Sequence, residues 1–356
     1  MRLPSSIPID KLLTMVRPFD LRDLALIRRL GERGVSLHTS SALAENFHPL
    51  RGAIKSMLVG GEYPTFVWKP DNGETAGFIQ LRISNGTPQA YVLYVSPRCC
   101  DFVDGLEPAN MSAPDNATLK SADGTVWLAL LDEAVVGAGQ RGIHHLIAEV
   151  DEQSAELQVL RRSGFAVYTR QDIWAAGVAE YRPQETPNCN LTRRSLMDEW
   201  DIQLLYANTV PRLVQLVEPL NSAADGDGWV LRNGNELAAF VSIRKGAVAT
   251  WLRFFIHPDV EADVDEIVNA ALRIAFSRES TAVYCCVRRY ESWLPNVLGR
   301  SGLTVCGSQA VMVRHTVHHA PRAMIDSTVA IDGQRVSASS PLVRNFRSPD
   351  DVRERK

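Results

Sequence analysis

Cysteine is scarce in this 356-residue chain: six residues, four of them in the adjacent pairs Cys99–Cys100 and Cys285–Cys286, with Cys189 and Cys306 alone. That is too few for a disulfide framework, and no CxxC or Cys/His zinc spacing occurs. The cysteines read as small buried hydrophobes in a reducing compartment. Long apolar runs are also missing. Nothing approaches the roughly 20 residues that span a bilayer, and Met1 to Asp10 holds no apolar stretch of signal-peptide length. Neither sign of charge dominates, with 41 acidic residues against 38 basic and a net charge of −3. A general nucleic-acid binder carries a basic excess, so nucleic acid and membrane are both excluded as expected partners. The 45% hydrophobic fraction suits a chain with buried cores. A soluble, cytoplasmic protein is the expectation, and at about 150 residues per domain the length allows two domains and a remainder.

What is present is a repeat. Phe78-Ile-Gln-Leu-Arg82 is echoed by Phe240-Val-Ser-Ile-Arg244, 162 residues later. The strand-like run ending Ser96-Pro97 is echoed by the run ending His257-Pro258, 161 residues later. Leu160-Arg-Arg-Ser163-Gly164-Phe165 is echoed by Leu298-Gly-Arg-Ser301-Gly302-Leu303, but the offset there is 138. The fall from 161 to 138 means that the first copy carries 23 extra residues between its Ser-Pro and its Arg-Ser-Gly. They lie within 98–123, a stretch rich in Pro, Asp and Asn without apolar period, which reads as a surface loop.

Each copy has the same order of elements. In the first, Asp20 to Leu30 has helical spacing. Thr65–Trp68, Thr75–Ile83 and Ala90–Val95 are short strands parted by Asp71-Asn72-Gly73 and Asn85-Gly86. Then follow helix Thr125–Ala138, strand His144–Val150, helix Ala155–Arg162 and strand Ala166–Trp174. In the second, helix Val210–Leu220 precedes strands Gly228–Arg232, Glu236–Arg244 and Ala249–Ile256. Helix Val264–Ser277, strand Ala282–Val287, helix Ser292–Arg300 and strand Thr304–His315 complete it. This is an α+β plan: two domains, each a mixed, mostly antiparallel sheet flanked by helices. The expected bounds are 11–176 with insertion 98–123, a linker at 177–190, a second domain at 191–316, and a polar tail at 317–356 expected to be disordered.

The order and the local wording resemble the GCN5-related N-acetyltransferase family. Val16-Arg-Pro-Phe-Asp-Leu-Arg-Asp23 resembles its opening strand and first helix. Gly124 to Gly142 resembles its central helix, and Leu160 to Phe165 its late helix ending in Gly-Phe. The resemblance covers nearly all of 11–176 and, more weakly, 190–316. It implies an acetyl-CoA site in the first domain, on the splayed fourth strand at Tyr94, Val95 and Ser96 and at the start of the central helix, Gly124 and Thr125. Backbone N–H groups at such a helix start favour a pyrophosphate.

The family's phosphate-loop positions fall here on Ala122, Thr125 and Trp127, none of the usual type. In the second copy Asp259, Glu261, Asp263, Asp265 and Glu266 crowd the helix start, where they suit the helix dipole and repel a pyrophosphate. The family's tyrosine acid falls on Leu160 and Leu298. Asp151 and Tyr168 are the remaining catalytic candidates, and surface exposure or packing is the commoner reason for a residue of either kind in such a place. Gly137-Ala-Gly139-Gln-Arg-Gly142 matches GxGxxG, but a helix precedes it and a strand follows, the reverse of a dinucleotide site. His144 and His145 point to opposite faces of a strand, and no metal site is expected.

Of two readings, the first is the expectation and the second its alternative. One is an N-acyltransferase moving an acyl group from acyl-CoA to a small-molecule or peptide amine in the first domain. The other is a catalytically silent tandem acting as a ligand- or protein-binding module, with loop 98–123 or the tail as docking parts.

Overall fold

The computed structural model describes residues 16–59, 61–69, 76–84, 86–99, 116–177, 189–220, 226–260, 264–276 and 282–316, with the side chains of 58–59 and 116–123 excepted. The tail at 317–356, most of loop 98–123 and most of the 177–190 linker lie outside the described residues.

The first copy opens with β1 (Val16–Pro18), a 3-10 turn at Leu21–Asp23 and α1 (Leu24–Leu30). Asp20 and Asp23 form a reciprocal capping box there, and Arg17 grips Asp23 through two 2.7 Å hydrogen bonds. The second copy repeats the device with Ser195 and Asp198, the latter held by Arg232. After α1 come β2 (Val35–Ser36), α2 (Thr39–Leu43) and α3 (Pro49–Val59). The meander β3 (Thr65–Trp68), β4 (Gly77–Ile83) and β5 (Gln89–Ser96) follows. Helix α4 (Asn116–Gly139), β6 (His145–Asp151), α5 (Ala155–Arg162) and β7 (Ala166–Gly177) end the copy. The second copy runs β8 (Thr192–Arg193), α6 (Glu199–Thr209), α7 (Arg212–Val217), β9 (Asp227–Asn233), β10 (Glu236–Lys245) and β11 (Thr250–Ile256). It closes with α8 (Val264–Phe276), β12 (Ala282–Arg288), α9 (Leu294–Arg300) and β13 (Thr304–His315).

Two boundaries differ from expectation. Helix α4 starts at Asn116 rather than 125, so the last eight residues of the expected loop are helical. Gly124 stands in the helix interior, where the nearest atoms to a Cβ would be the end of the Arg162 side chain, with Nη1 at 3.0 Å. The helix expected at Val210–Leu220 is α7 alone, over Arg212–Val217, and an unexpected helix, α6, precedes it over Glu199–Thr209; the two part at Val210-Pro211, where Val210 takes the extended conformation favoured before a proline.

The repeated Arg-Ser-Gly is structural. Gly164 and Gly302 sit at φ +85° and +86°, the left-handed conformation that ends a helix. Phe165 N donates to Leu160 O, and Leu303 N to Leu298 O, both at 3.0 Å.

The thirteen described strands form one sheet, twelve of them in the order β1-β3-β4-β5-β6-β13-β7-β12-β11-β10-β9-β8 and β2 paired to β5 off that path. The central order is an exchange: β13 of the second copy lies between β6 and β7 of the first, and β7 lies between β13 and β12 of the second. Each copy has a parallel strand pair, β5–β6 or β11–β12, followed by a vacancy that an antiparallel strand must fill, and the other copy fills it. Gln171 pairs with Gln309, residues that differ by the same 138 that separates the Arg-Ser-Gly motifs. The pairs on either side, such as Val313 with Ala166 and Thr304 with Ala175, are equivalent under that offset, as are the two bulges, at Tyr168 and Cys306. A pseudo-twofold axis therefore passes through the Gln171–Gln309 pair, whose side chains share a 2.8 Å hydrogen bond.

One sheet face is covered by α4 and α5 in the first copy and by α8 and α9 in the second. Trp127, Leu130, Leu131 and Ala134 pack on Ile79, Leu81, Val92 and Ala148. Ile267, Val268, Ala271 and Leu272 pack on Val241, Leu252 and Val283. On the other face, α1 packs Ile27 and Leu30 on Phe78 and Leu93, and α6 packs Ile202 and Leu205 on Phe240 and Phe255. The glycines of Gly137-Ala-Gly139-Gln-Arg-Gly142 end α4 and turn the chain into β6, with Gly142 at φ +75°. Among the described residues no helix is long and apolar enough to cross a membrane.

Candidate functional site

In both copies the parallel pair is short. Strands β5 and β6 pair only over Gln89–Tyr91 with His145–Ile147, and β11 and β12 only over Thr250–Leu252 with Val283–Cys285. Beyond these residues the strands diverge, leaving a wedge-shaped splay in each copy.

The first splay is filled by the chain itself. Val35 pairs with Val95 and Ser36 with Tyr94. Leu37 N donates to Leu93 O (3.0 Å), while Leu37 O accepts from Glu149 N on β6 (2.8 Å). Thr39 N, at the start of α2, then donates to the Glu149 carboxylate at 2.7 Å. The segment thus bonds to both diverging strands. The side chains beside it are engaged by the same stretch of chain: Tyr94 OH donates to Gly31 O (2.7 Å) and accepts from Gly34 N (2.9 Å), and Ser96 Oγ donates to Leu30 O (2.6 Å).

A pantetheine arm laid along β5 would need the backbone edge that β2 and Leu37 occupy. Gly124 and Thr125 lie eight and nine residues inside α4, where amides are committed to the helix and cannot cradle a phosphate. Trp127 is fully buried in the core, its Nε1 donating to Pro97 O at 2.8 Å. The residues expected to hold acetyl-CoA in the first copy do not fit it.

The second splay receives no strand among the described residues. A side chain bridges it: Glu218, just after α7, accepts two 2.8 Å hydrogen bonds from Arg288 Nη2 on β12. Arg253 Nη1 on β11 lies 3.6 Å from the same carboxylate. Tyr168 OH donates to Glu218, and Tyr206 OH to its backbone oxygen. Burial pushes the Glu218 carboxyl up, but Arg288 and then Arg253 outweigh it, so the group stays below the ordinary carboxylate range. Burial and the Glu218 charge hold the Tyr168 phenol well above its usual value, so it serves as a donor. Burial also takes the Cys286 thiol up to about 12 and the Glu291 carboxyl up to about 7.

Between the two copies Tyr206, Glu218, Arg253, Cys286 and Arg288 line one chamber of about 120 Å³. Arg82 and Arg244, the residues of the repeated strand motif, enter it from β4 and β10. Arg82 pairs with Glu45 at 3.0 Å and donates to Ser41 Oγ at 2.9 Å. His38, bonded to Ser41 Oγ at 2.8 Å and set against the Tyr91 ring, is held well below its ordinary pKa by burial and then by Arg82 and Arg244. Beside the chamber a polar chain crosses the pseudo-axis: Cys286 Sγ to Gln171, Gln171 to Gln309, and Thr39 Oγ1 to Gln309.

Of the two catalytic candidates, Tyr168 belongs to the Glu218 network. Asp151 is exposed at the end of β6, where its Oδ1 accepts from Gln153 N at 2.8 Å. The expected opposition of His144 and His145 leaves His145 to meet His315 of β13, with ring nitrogens 3.0 Å apart. No group of three metal-binding side chains occurs among the described residues. Sequence reasoning missed Glu218, Arg253 and Arg288. The available signal was charge in the wrong place, since Arg253 interrupts Trp251 to Phe255 and Arg288 ends an apolar strand.

No protein-family model and no curated protein matches the sequence. Solved structures do. A GCN5-related N-acetyltransferase from Sphaerobacter thermophilus superposes with a TM-score of 0.50 at 13% identity, over 85% of this chain and 95% of that one. The glucosamine N-acetyltransferase region of a fungal multi-domain GH3 β-N-acetylglucosaminidase gives 0.52 at 11% identity, over 84% of this chain and 38% of that one. A tandem protein of this fold from the clavulanic acid biosynthesis pathway gives 0.48 at 12% identity. The chain has the GCN5-related N-acetyltransferase fold, and its two copies of that fold share a single sheet.

Proposed function

We infer that this protein is a tandem N-acetyltransferase-fold module that binds a small ligand and does not transfer acyl groups from acyl-CoA through its first cleft. The observation that carries this reading is the pairing of Val35 and Ser36 with Val95 and Tyr94. It gives to the chain's own backbone the strand edge that a thioester cofactor would use. The second splay does not take over the role: α8 has Asp265 and Glu266 in its first turn, where a pyrophosphate would be repelled. Loop 98–123 and the tail are proposed as protein-docking parts of the same module.

Calorimetric titration with acetyl-CoA, beside a thermal-shift series, tests the reading. No saturable heat and no rise in Tm at millimolar cofactor is the expected result. Stoichiometric binding together with acyl-dependent release of free CoA in the presence of a panel of amines would restore the acyltransferase reading.

A further inference from the structure

We propose that the chamber between the two copies is a binding site for a small molecule bearing a compact oxyanion, a carboxylate or a phosphate. The proposal rests on the ligand-binding reading above and names the chemistry of the ligand.

Four guanidiniums line the chamber: Arg82, Arg244, Arg253 and Arg288. Three carboxylates oppose them: Glu45 on Arg82, Glu218 shared by Arg253 and Arg288, and Glu149, whose oxygen takes the Thr39 amide. One positive charge is left over. Glu291, close enough to act on Arg253 and Arg288 and with its carboxyl pushed to about 7, offsets that charge only in part at neutral pH.

The hydrogen-bond accounting points the same way. Arg288 is 3% exposed, yet its Nε and Nη1 have no acceptor among the described residues. Nε and Nη2 of Arg253 and Nε of Arg244 are in the same state. Buried charged donors left unmade are costly, and proteins supply acceptors for them. A planar or tetrahedral oxyanion presents several acceptors at once, the geometry a guanidinium fork matches. Arg253 is already braced over the Phe255 ring at 4.9 Å and Arg288 is clamped by Glu218, so little side-chain freedom remains to be lost on binding. The neutral His38 and the wall residues Tyr91 and Trp251 would face the uncharged part of the ligand. At about 120 Å³ the chamber holds roughly four waters, room for the anionic group and a few further atoms.

The test uses the full chain with three titrants at equal ionic strength: inorganic phosphate, succinate and sodium chloride. Saturable binding and a rise in Tm are expected with phosphate or succinate and not with chloride, and whichever of the two binds identifies the class of anion. Arg244→Gln, which breaks none of the chamber's ion pairs, should weaken that binding by roughly tenfold or more. Should that variant fail to melt cooperatively, Arg253→Lys keeps the charge, loses the fork and should also weaken it. Equal shifts from all three salts, or an affinity unchanged in both variants, would overturn the proposal, with water as the chamber's only occupant. Acetyl-CoA is titrated alongside. Its saturable binding, unaltered by Arg244→Gln, would overturn the functional reading and leave the chamber standing. Absent anion binding overturns the chamber alone.

Discussion

The two splays start from equivalent parallel pairs and are closed by different chemistry. In the first copy the wedge between β5 and β6 is closed by backbone, with Leu37 bonded to Leu93 on one side and Glu149 on the other. In the second the wedge between β11 and β12 is bridged by one carboxylate held between two guanidiniums. Backbone closure is neutral and leaves nothing over. Ionic closure leaves excess donors, because two arginines share one glutamate. Duplicated folds can thus keep their outline while one copy loses a cleft and the other acquires a charged one.

The largest effect should come from breaking the ionic closure. Arg288→Met strands Glu218 in the interior and should cost about 3–5 kcal/mol in urea unfolding at pH 7, with much of it restored by adding Glu218→Gln. If the single variant costs under about 1 kcal/mol, the carboxylate does not bridge the strands as described.

A second effect depends on pH. Glu291 ionises near 4.5 when unfolded and near 7 when folded. Because the folded state holds this proton more tightly, the stabilising contribution is full below about pH 4.5 and fades as pH climbs through 7, by up to about 3 kcal/mol. Glu291→Gln should flatten that window and leave the protein more stable than the parent above pH 7. Parallel melting curves for parent and variant across pH 4 to 8 would count against the assignment.

The backbone closure should be broken more gently. Thr39 is the first residue of α2, a position that accepts proline, and His38 before it is extended. Thr39→Pro therefore removes chiefly the amide that serves Glu149, together with the Thr39 hydroxyl contact to Gln309, at an expected cost of about 2 kcal/mol. Amide exchange at Leu37 should quicken in the same variant. Unchanged exchange would mean that Glu149 does not hold the segment.

The smallest effects test where the copies agree. Gly164→Ala and Gly302→Ala should each cost about 1–2 kcal/mol, equal within error, because both glycines end a helix in the left-handed conformation. Clearly unequal values would show that the equivalence ends at the backbone.

Much of the fold was legible because it rests on local rules. Helix-ending Ser-Gly, alternating strands and the offset of 138 each follow from backbone conformation that a few neighbouring residues dictate. The strand exchange was not legible, since the alternation in β7 and in β13 is the same whichever copy supplies the neighbouring strand. Nor was β2, whose two residues carry no periodicity and whose partners, Val95 and Tyr94, lie 60 and 58 positions away. Helix α3, Pro49–Val59, lies in a stretch that the sequence alone leaves unassigned. The chamber was half visible. Arg82 and Arg244 were noticed as repeated letters, but they meet in one cavity only where the two copies share a sheet, and Glu218 joins them from just after α7.

The symmetric register about Gln171 and Gln309 has a consequence for how the chain is held together. Each half contributes its last strand to the other, so the covalent connection through 178–188 is not what keeps the halves paired. Cleaved there by a protease, the protein should elute as an intact one-to-one complex, and the halves expressed as separate polypeptides should find each other. The arrangement is that of a twofold dimer of strand-swapped subunits carried on one chain.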